Sequence, residues 1–339
     1  PTERLQGFEA VADTALDRCG RAAERIEQGI ALLETDATAQ AAFCFANQAM
    51  WLQRVHTLAA QDRLRDPKLT LEEAVAARDV PENRSWRPFQ LAFMLLNLPS
   101  LAGPTHSERG PSSDGGLVDL LWFPTGGGKT EAYLGLTTFA LAVRRLQGAV
   151  GDYDGRDGVG VIMRYTLRLL TIQQFQRAAA LMCACEVIRQ EAASKGDTRW
   201  GDTPFRIGLW VGARATPNTS DDADAWLRQV KGATGYAGTR GGSPYQLTYC
   251  PWCGERIDPK RHLKVDLVPR RTYSFCGDKY GRCPFSERQA PAEGLPAVVV
   301  DEEIYRLLPG LLVGTVDKFA QMPWKGPVQT LFGRVTGRC

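Results

Sequence analysis

Two clusters in this 339-residue chain have the residue types and spacings that do chemistry. The first is Pro124-Thr125-Gly126-Gly127-Gly128-Lys129-Thr130. Successive glycines let the backbone turn so that amide N–H groups converge, which makes a cradle for phosphate oxygens. Lys129 adds an ammonium between the β- and γ-phosphates, and Thr130 a hydroxyl for Mg²⁺. Thr125, Gly126, Gly127, Gly128, Lys129 and Thr130 are thus candidate ATP-binding residues, with Lys129 and Thr130 as the catalytic pair. The second cluster is Cys250 and Cys253, followed after 22 residues by Cys276 and Cys283. Two close pairs of thiols suit tetrahedral, structural Zn²⁺, which would staple a segment too small to hold its own core. Six residues separate Cys276 from Cys283, so that knuckle needs a longer loop. His262 is an alternative ligand.

These groups need elements to hold them. Residues 3–78 are rich in Ala, Leu, Glu, Gln and Arg, with Ile26, Ile30 and Leu33 at helical spacing, so an N-terminal helical module is expected. Ser100–Gly116 reads as a loop. From Leu117 the pattern changes. Leu117–Phe123 is expected as a buried strand, Pro124–Thr130 as a turn and Glu131–Leu146 as a helix. Val159–Met163 is expected as a second strand, Leu169–Glu191 as a second helix and Phe205–Gly212 as a third strand. Leu311–Thr315 resumes the sheet after the cysteine-bearing insertion. Alternating strands and helices imply a parallel sheet covered by helices.

Further segments resemble superfamily 2 helicases. Phe123 stands where the general phosphate-loop pattern has Gly, and the shorter Pro-Thr-Gly-x-Gly-Lys-Thr form is the helicase one. Arg87-Pro88-Phe89-Gln90 resembles the upstream glutamine motif, which implies that Arg87 and Gln90 belong to the ATP site and that Gln90 reads adenine. The run Thr166-Leu167-Arg168 through Gln173 resembles a phosphate-gripping motif at a strand's carboxyl end. Leu209-Trp210-Val211-Gly212 and Val313-Gly314-Thr315-Val316-Asp317-Lys318 resemble two more backbone-contact motifs. The resemblance implies that Thr166, Arg168, Gln173, Gly212, Thr315 and Lys318 touch nucleic acid. Val298-Val299-Val300-Asp301-Glu302 looks like the Mg²⁺-binding acidic motif but precedes Gly314-Thr315, the reverse of the expected order. The acidic motif is therefore expected beyond Cys339.

The implied fold class is α/β: a P-loop, RecA-like parallel sheet flanked by helices, preceded by a helical N-terminal domain and carrying a zinc-binding insertion. The expected divisions are 1–84 helical, 85–212 the first part of motor domain 1, 213–300 the insertion, and 301–339 the continuation of the motor domain. Trp122–Gly135, Met163–Thr171 and Gly314–Ala320 are similar to the DrmA-like helicase subunits of bacterial DISARM anti-phage systems. That resemblance implies a DNA-dependent ATP hydrolase acting on single-stranded or partly single-stranded DNA. It also implies a DrmB-like companion subunit and a longer protein, of which this segment alone turns ATP over poorly. The alternative is an ATP-gated DNA- or partner-binding module without translocation. A net charge of +3 neither demands nor excludes nucleic acid, since a translocase needs only a local basic track. Nine cysteines, no secretory signal and no long apolar run point to a reducing cytoplasm and away from a membrane.

Overall fold

The computed structural model describes residues 7–110, 116–124, 126–151, 153–165, 168–232 and 241–334. The N-terminal segment is helical, as α1 (Glu9–Thr35), α2 (Ala37–Arg65) and α3 (Leu71–Arg78). The break after α1 falls at Asp36, whose carboxylate caps α2 by accepting from the N–H groups of Thr38 and Ala39 at 2.8 and 3.0 Å. Thr70 and Glu73 form a reciprocal capping box that starts α3. Next comes α4 (Pro88–Ala102), with Pro88 in the first turn, where no N–H is required. One face of α2 is lined by small buried residues (Ala39, Ala42, Ala46, Ala49, Ala59, Ala60), which let neighbouring backbones approach closely.

The rest of the chain runs α5 (Lys129–Gln147), β1 (Ala149–Val150), β2 (Tyr153–Asp154), β3 (Val161–Tyr165), α6 (Arg168–Ser194), β4 (Ile207–Trp210) and α7 (Ser220–Gly232). It continues with α8 (Pro259–His262), β5 (Leu263–Asp266), β6 (Arg271–Ser274), β7 (Ala297–Val298), α9 (Asp301–Leu307), β8 (Leu311–Thr315) and α10 (Val316–Gln321). Four parallel strands make the main sheet, in the order β3-β8-β4-β7. Val161 pairs with Leu311, and Ile207 pairs with Leu311 from the other side. β4 and β8 are buried along their whole length, as central strands covered on both faces must be, whereas β3 is half-exposed at an edge. One face carries the large core that includes Phe139, Phe175, Met182 and Leu209 and reaches back to α2. The other carries Trp210, Val298, Ile304, Leu312, Val328 and Leu331. Among the described residues no helix is long and apolar enough to cross a membrane.

Two strand expectations need correction. Leu117–Phe123 is not in the sheet. It is extended chain pinned by Arg25, which grips Asp119 at 2.7 and 2.8 Å, and by the Leu117 N–H on the Glu108 carbonyl. Val118, Leu120 and Trp122 are 86–88% exposed. Apolar alternation made the run look like a strand, but no described strand lies beside it to accept the ladder hydrogen bonds. Conversely, the sheet takes in Ala297–Val298, which sits inside the range expected for the insertion.

Candidate nucleotide and metal sites

The candidate phosphate loop joins Phe123 to α5. Gly126 and Gly128 have φ of +80° and +92°, which side-chain-bearing residues rarely adopt. Gly127 lies so close to Phe123 and the Pro124 carbonyl that a Cβ would meet them at 2.5 and 2.9 Å. Lys129 opens α5, so the free N–H groups of the helix's first turn border the loop. The Lys129 ammonium donates to the carbonyls of Phe123 and Pro124, folding back over its own loop. The preceding helix braces the loop from outside. The Arg87 guanidinium donates to the Gly127 carbonyl, and the Gln90 amide to the Gly128 carbonyl, both at 2.7 Å. The Gln90 carboxamide oxygen accepts from the Arg87 N–H at 2.8 Å. Phe89 stacks on Phe123 with ring centroids 3.8 Å apart. Gly126, Gly128, Lys129, Thr130, Arg87 and Gln90 border one cleft of about 920 Å³, within the range of small-molecule sites. Thr125 lies outside the described residues.

Residues of α2 also line that cleft. Asn47, Trp51 and Arg54 follow i, i+4, i+7 spacing along the helix, with Gln48 beside them. Spacing alone could not single them out, because their role depends on which helix α2 faces.

The four cysteines are brought together. Their sulfurs lie within 4.8 Å of one another and all four are buried. The Cys250–Cys283 and Cys253–Cys276 sulfur separations are 3.9 and 3.3 Å. Tetrahedral zinc with bonds near 2.3 Å places sulfurs about 3.8 Å apart, so these thiols could hold a metal such as zinc. Hydrogen bonds from the neighbouring thiols hold Cys253 well below the ordinary thiol range, while burial pushes Cys250 up. The longer second knuckle is organised by Asp278. Its carboxylate accepts from the N–H groups of Tyr280, Arg282 and Cys283, and its own N–H donates to the Cys276 sulfur at 3.4 Å. The His262 Nδ1 accepts from the Asp258 N–H, and His262 is not among the grouped ligands.

The knuckle docks on α2. The His56 ring stacks on Trp252 at 3.4 Å and 17°, and its Nδ1 lies 2.9 Å from the Trp252 carbonyl. Burial lowers the His56 pKa, which favours the neutral ring. Arg63 donates to the Cys253 carbonyl and pairs with Glu255 at 2.6 Å. Gly254 sits on the Ala60 backbone, where a Cβ would meet the carbonyl oxygen at 2.8 Å. None of these partners carries a sequence signal beyond His56 being one of three histidines.

The expected nucleic-acid residues divide. β3, β8 and β4 are adjacent and parallel, so the start of α6, Thr315 and Gly212 share the sheet's carboxyl edge. Gln173 is exposed on α6. Thr166 and the side chain of Arg168 lie outside the described residues. Lys318 is corrected: it is 1% exposed, and its ammonium pairs with Asp301 beneath Trp210. No phosphate reaches it there. Thr315 is likewise buried, with its hydroxyl enclosed. The acidic run after β7 is occupied by protein partners. Asp301 holds Lys318, Glu302 holds Arg270 and the Ser220 N–H, and Glu303 holds Arg271 and the Thr272 N–H.

No protein-family model matches the chain. A DISARM protein DrmA from Bacillus paralicheniformis is 39% identical to it over 349 aligned positions, covering all of this chain and 28% of that protein. The chain is thus similar, along its entire length, to the N-terminal part of a DISARM protein DrmA.

Proposed function

We propose that this chain is the nucleotide-binding portion of a superfamily 2 DNA translocase acting in DISARM anti-phage defence, with its sheet the core of a RecA-like motor domain. The observation that carries the reading is the cleft in which a three-glycine loop, a helix start and Lys129 converge. Gly126–Gly128 amides and Lys129 bind the phosphate tail in this reading, Lys129 leaving its own loop's carbonyls for the anion. Thr130 would hold Mg²⁺, which neutralises charge on the transferring phosphoryl group. Arg87 and Gln90 set the loop's position. In this reading Gln173 and Gly212 touch the DNA backbone, and Thr166 and Arg168 join them as DNA-contacting residues. The four-cysteine cluster holds structural zinc. A DrmB-like subunit is the expected companion.

ATP hydrolysis by the full-length protein, with and without single-stranded DNA, tests the motor. Strong stimulation by DNA is expected. ATP-dependent DNA binding without stimulated turnover would replace the motor with a nucleotide-gated binding module. Lys129→Ala is expected to weaken ATP binding by about 100-fold, since it deletes the one ammonium in the cradle.

A further inference from the structure

Building on the phosphate-loop reading, we infer that the base of the bound nucleotide is held by α2, with Trp51 as stacking platform and Gln48 as hydrogen-bonding amide, rather than by Gln90. The Gln90 carboxamide is 5% exposed and faces the loop. Its oxygen accepts from the Arg87 N–H and its nitrogen donates to the Gly128 carbonyl, so it braces the cradle. Gln48 is exposed, lines the same cleft and makes no hydrogen bond to any described residue. A free amide offers a donor and an acceptor side by side, the pattern that pairs with the edge of a purine.

Trp51 lies three residues along α2 from Gln48, and so on the same face. Its ring is oriented by the indole N–H, which donates to the Asp79 carboxylate at 2.8 Å. Asp79 also pairs with Arg84 at 3.5 Å, and the Arg84 guanidinium lies over the Trp51 ring at 5.7 Å. A cation at cation–π range of that ring marks a face that attracts a delocalised partner, and a purine is another. The register along the cleft fits. One turn before Trp51, Asn47 accepts from the Trp86 indole at 2.7 Å, and the next residue, Arg87, reaches the loop at Gly127. The Trp51 platform therefore stands one helical turn, about 6 Å, beyond the residue that touches the loop's brace. A nucleotide with its phosphates on Lys129 would extend its base toward that turn. The helical module is then part of the nucleotide site, and the site takes a purine nucleoside triphosphate.

Calorimetric titration of the full-length protein with ATP and with inorganic tripolyphosphate, which has no base, tests this. Wild type is expected to bind ATP more tightly. Trp51→Ala and Gln48→Ala are each expected to remove about tenfold of that advantage and leave tripolyphosphate affinity unchanged. Trp51→Phe, which keeps an aromatic face and the packing, retains most of the advantage. Gln90→Ala weakens both ligands alike. Equal binding of ATP and tripolyphosphate by wild type, or unaltered ATP binding in the Trp51 and Gln48 variants, overturns the inference and leaves the phosphate loop standing. So does a Gln90→Ala variant that loses only the ATP advantage. Failure of tripolyphosphate to bind at all defeats the phosphate-loop reading, and this inference with it.

Discussion

In the proposed reading the four-cysteine knuckle and the glycine loop each hold a charged ligand, yet the chain prepares them in opposite ways. At the knuckle the donors are gathered, buried and tied by Asp278 and by α2. At the loop the principal cation is spent on the loop's own carbonyls, and the run leading into it is exposed to solvent. A permanent metal rewards fixed geometry, because every ligand bond also stabilises the fold. A ligand that is bound and released needs donors satisfied in its absence by bonds it can displace. The two sites therefore differ in what their loss should do. Removing a knuckle ligand should unfold structure, and removing the loop's cation should silence binding in an intact fold.

The largest effect is expected at the knuckle. Cys253→Ser should abolish metal content and lower the melting temperature by roughly 10 °C, since the metal is part of the folding free energy. Lys129→Ala in a parallel thermal melt should leave the transition nearly where it was. Equal melting temperatures for wild type and Cys253→Ser, with metal measured by mass spectrometry, would erase the contrast.

Lys318 asks which kind of site the sheet's carboxyl edge is. As a displaceable phosphate contact it could be removed without loss of stability. As a buried partner of Asp301 it could not, because Lys318→Met would strand a carboxylate already pushed above its usual range by burial. A loss of about 3–5 kcal/mol is expected in denaturant melts, with Lys318→Met/Asp301→Leu recovering most of it. A neutral single variant would return Lys318 to the candidate nucleic-acid contacts. A smaller loss, about 1–3 kcal/mol, is expected for Arg63→Ala, which releases the Cys253 carbonyl and Glu255. Because Arg63 is not one of the four grouped cysteines, metal should still bind in that variant, and its absence would show that docking on α2 is needed to form the knuckle.

The sequence made visible what local chemistry dictates. Glycines at positive φ before a helix, thiols in pairs, and apolar runs such as Leu311–Thr315 carry their meaning in a few residues, and those elements lie close to where spacing put them. Hidden features depended on which surfaces meet. Nothing in Asn47, Gln48 or Trp51 tells that α2 turns that face to the phosphate loop. Nothing in Lys318 tells that Asp301 comes beside it only when β7 and β8 enter one sheet. The Leu117–Phe123 run failed for a related reason. Alternation reports that a segment could be a strand, while pairing needs a neighbour with unfilled hydrogen bonds.

That run gives the smallest effect and sharpens the comparison most. Val118, Leu120 and Trp122 are bare to solvent, so a polar substitution here removes almost no buried contact. Val118→Thr should change the stability of this chain by no more than about 0.5 kcal/mol. The DrmA relative is much longer, this chain spanning 28% of it. If a motor domain is completed by residues outside this chain, the run leading into the phosphate loop gains a covering layer in the full-length protein. The same substitution there should cost about 1 kcal/mol or more through lost apolar burial, and Trp122 emission should move to shorter wavelength. Equally small effects in both lengths, with an unshifted Trp122 spectrum, would mean that the run stays in solvent. The phosphate loop would then stand outside any sheet, and the motor reading would lose the scaffold on which it relies.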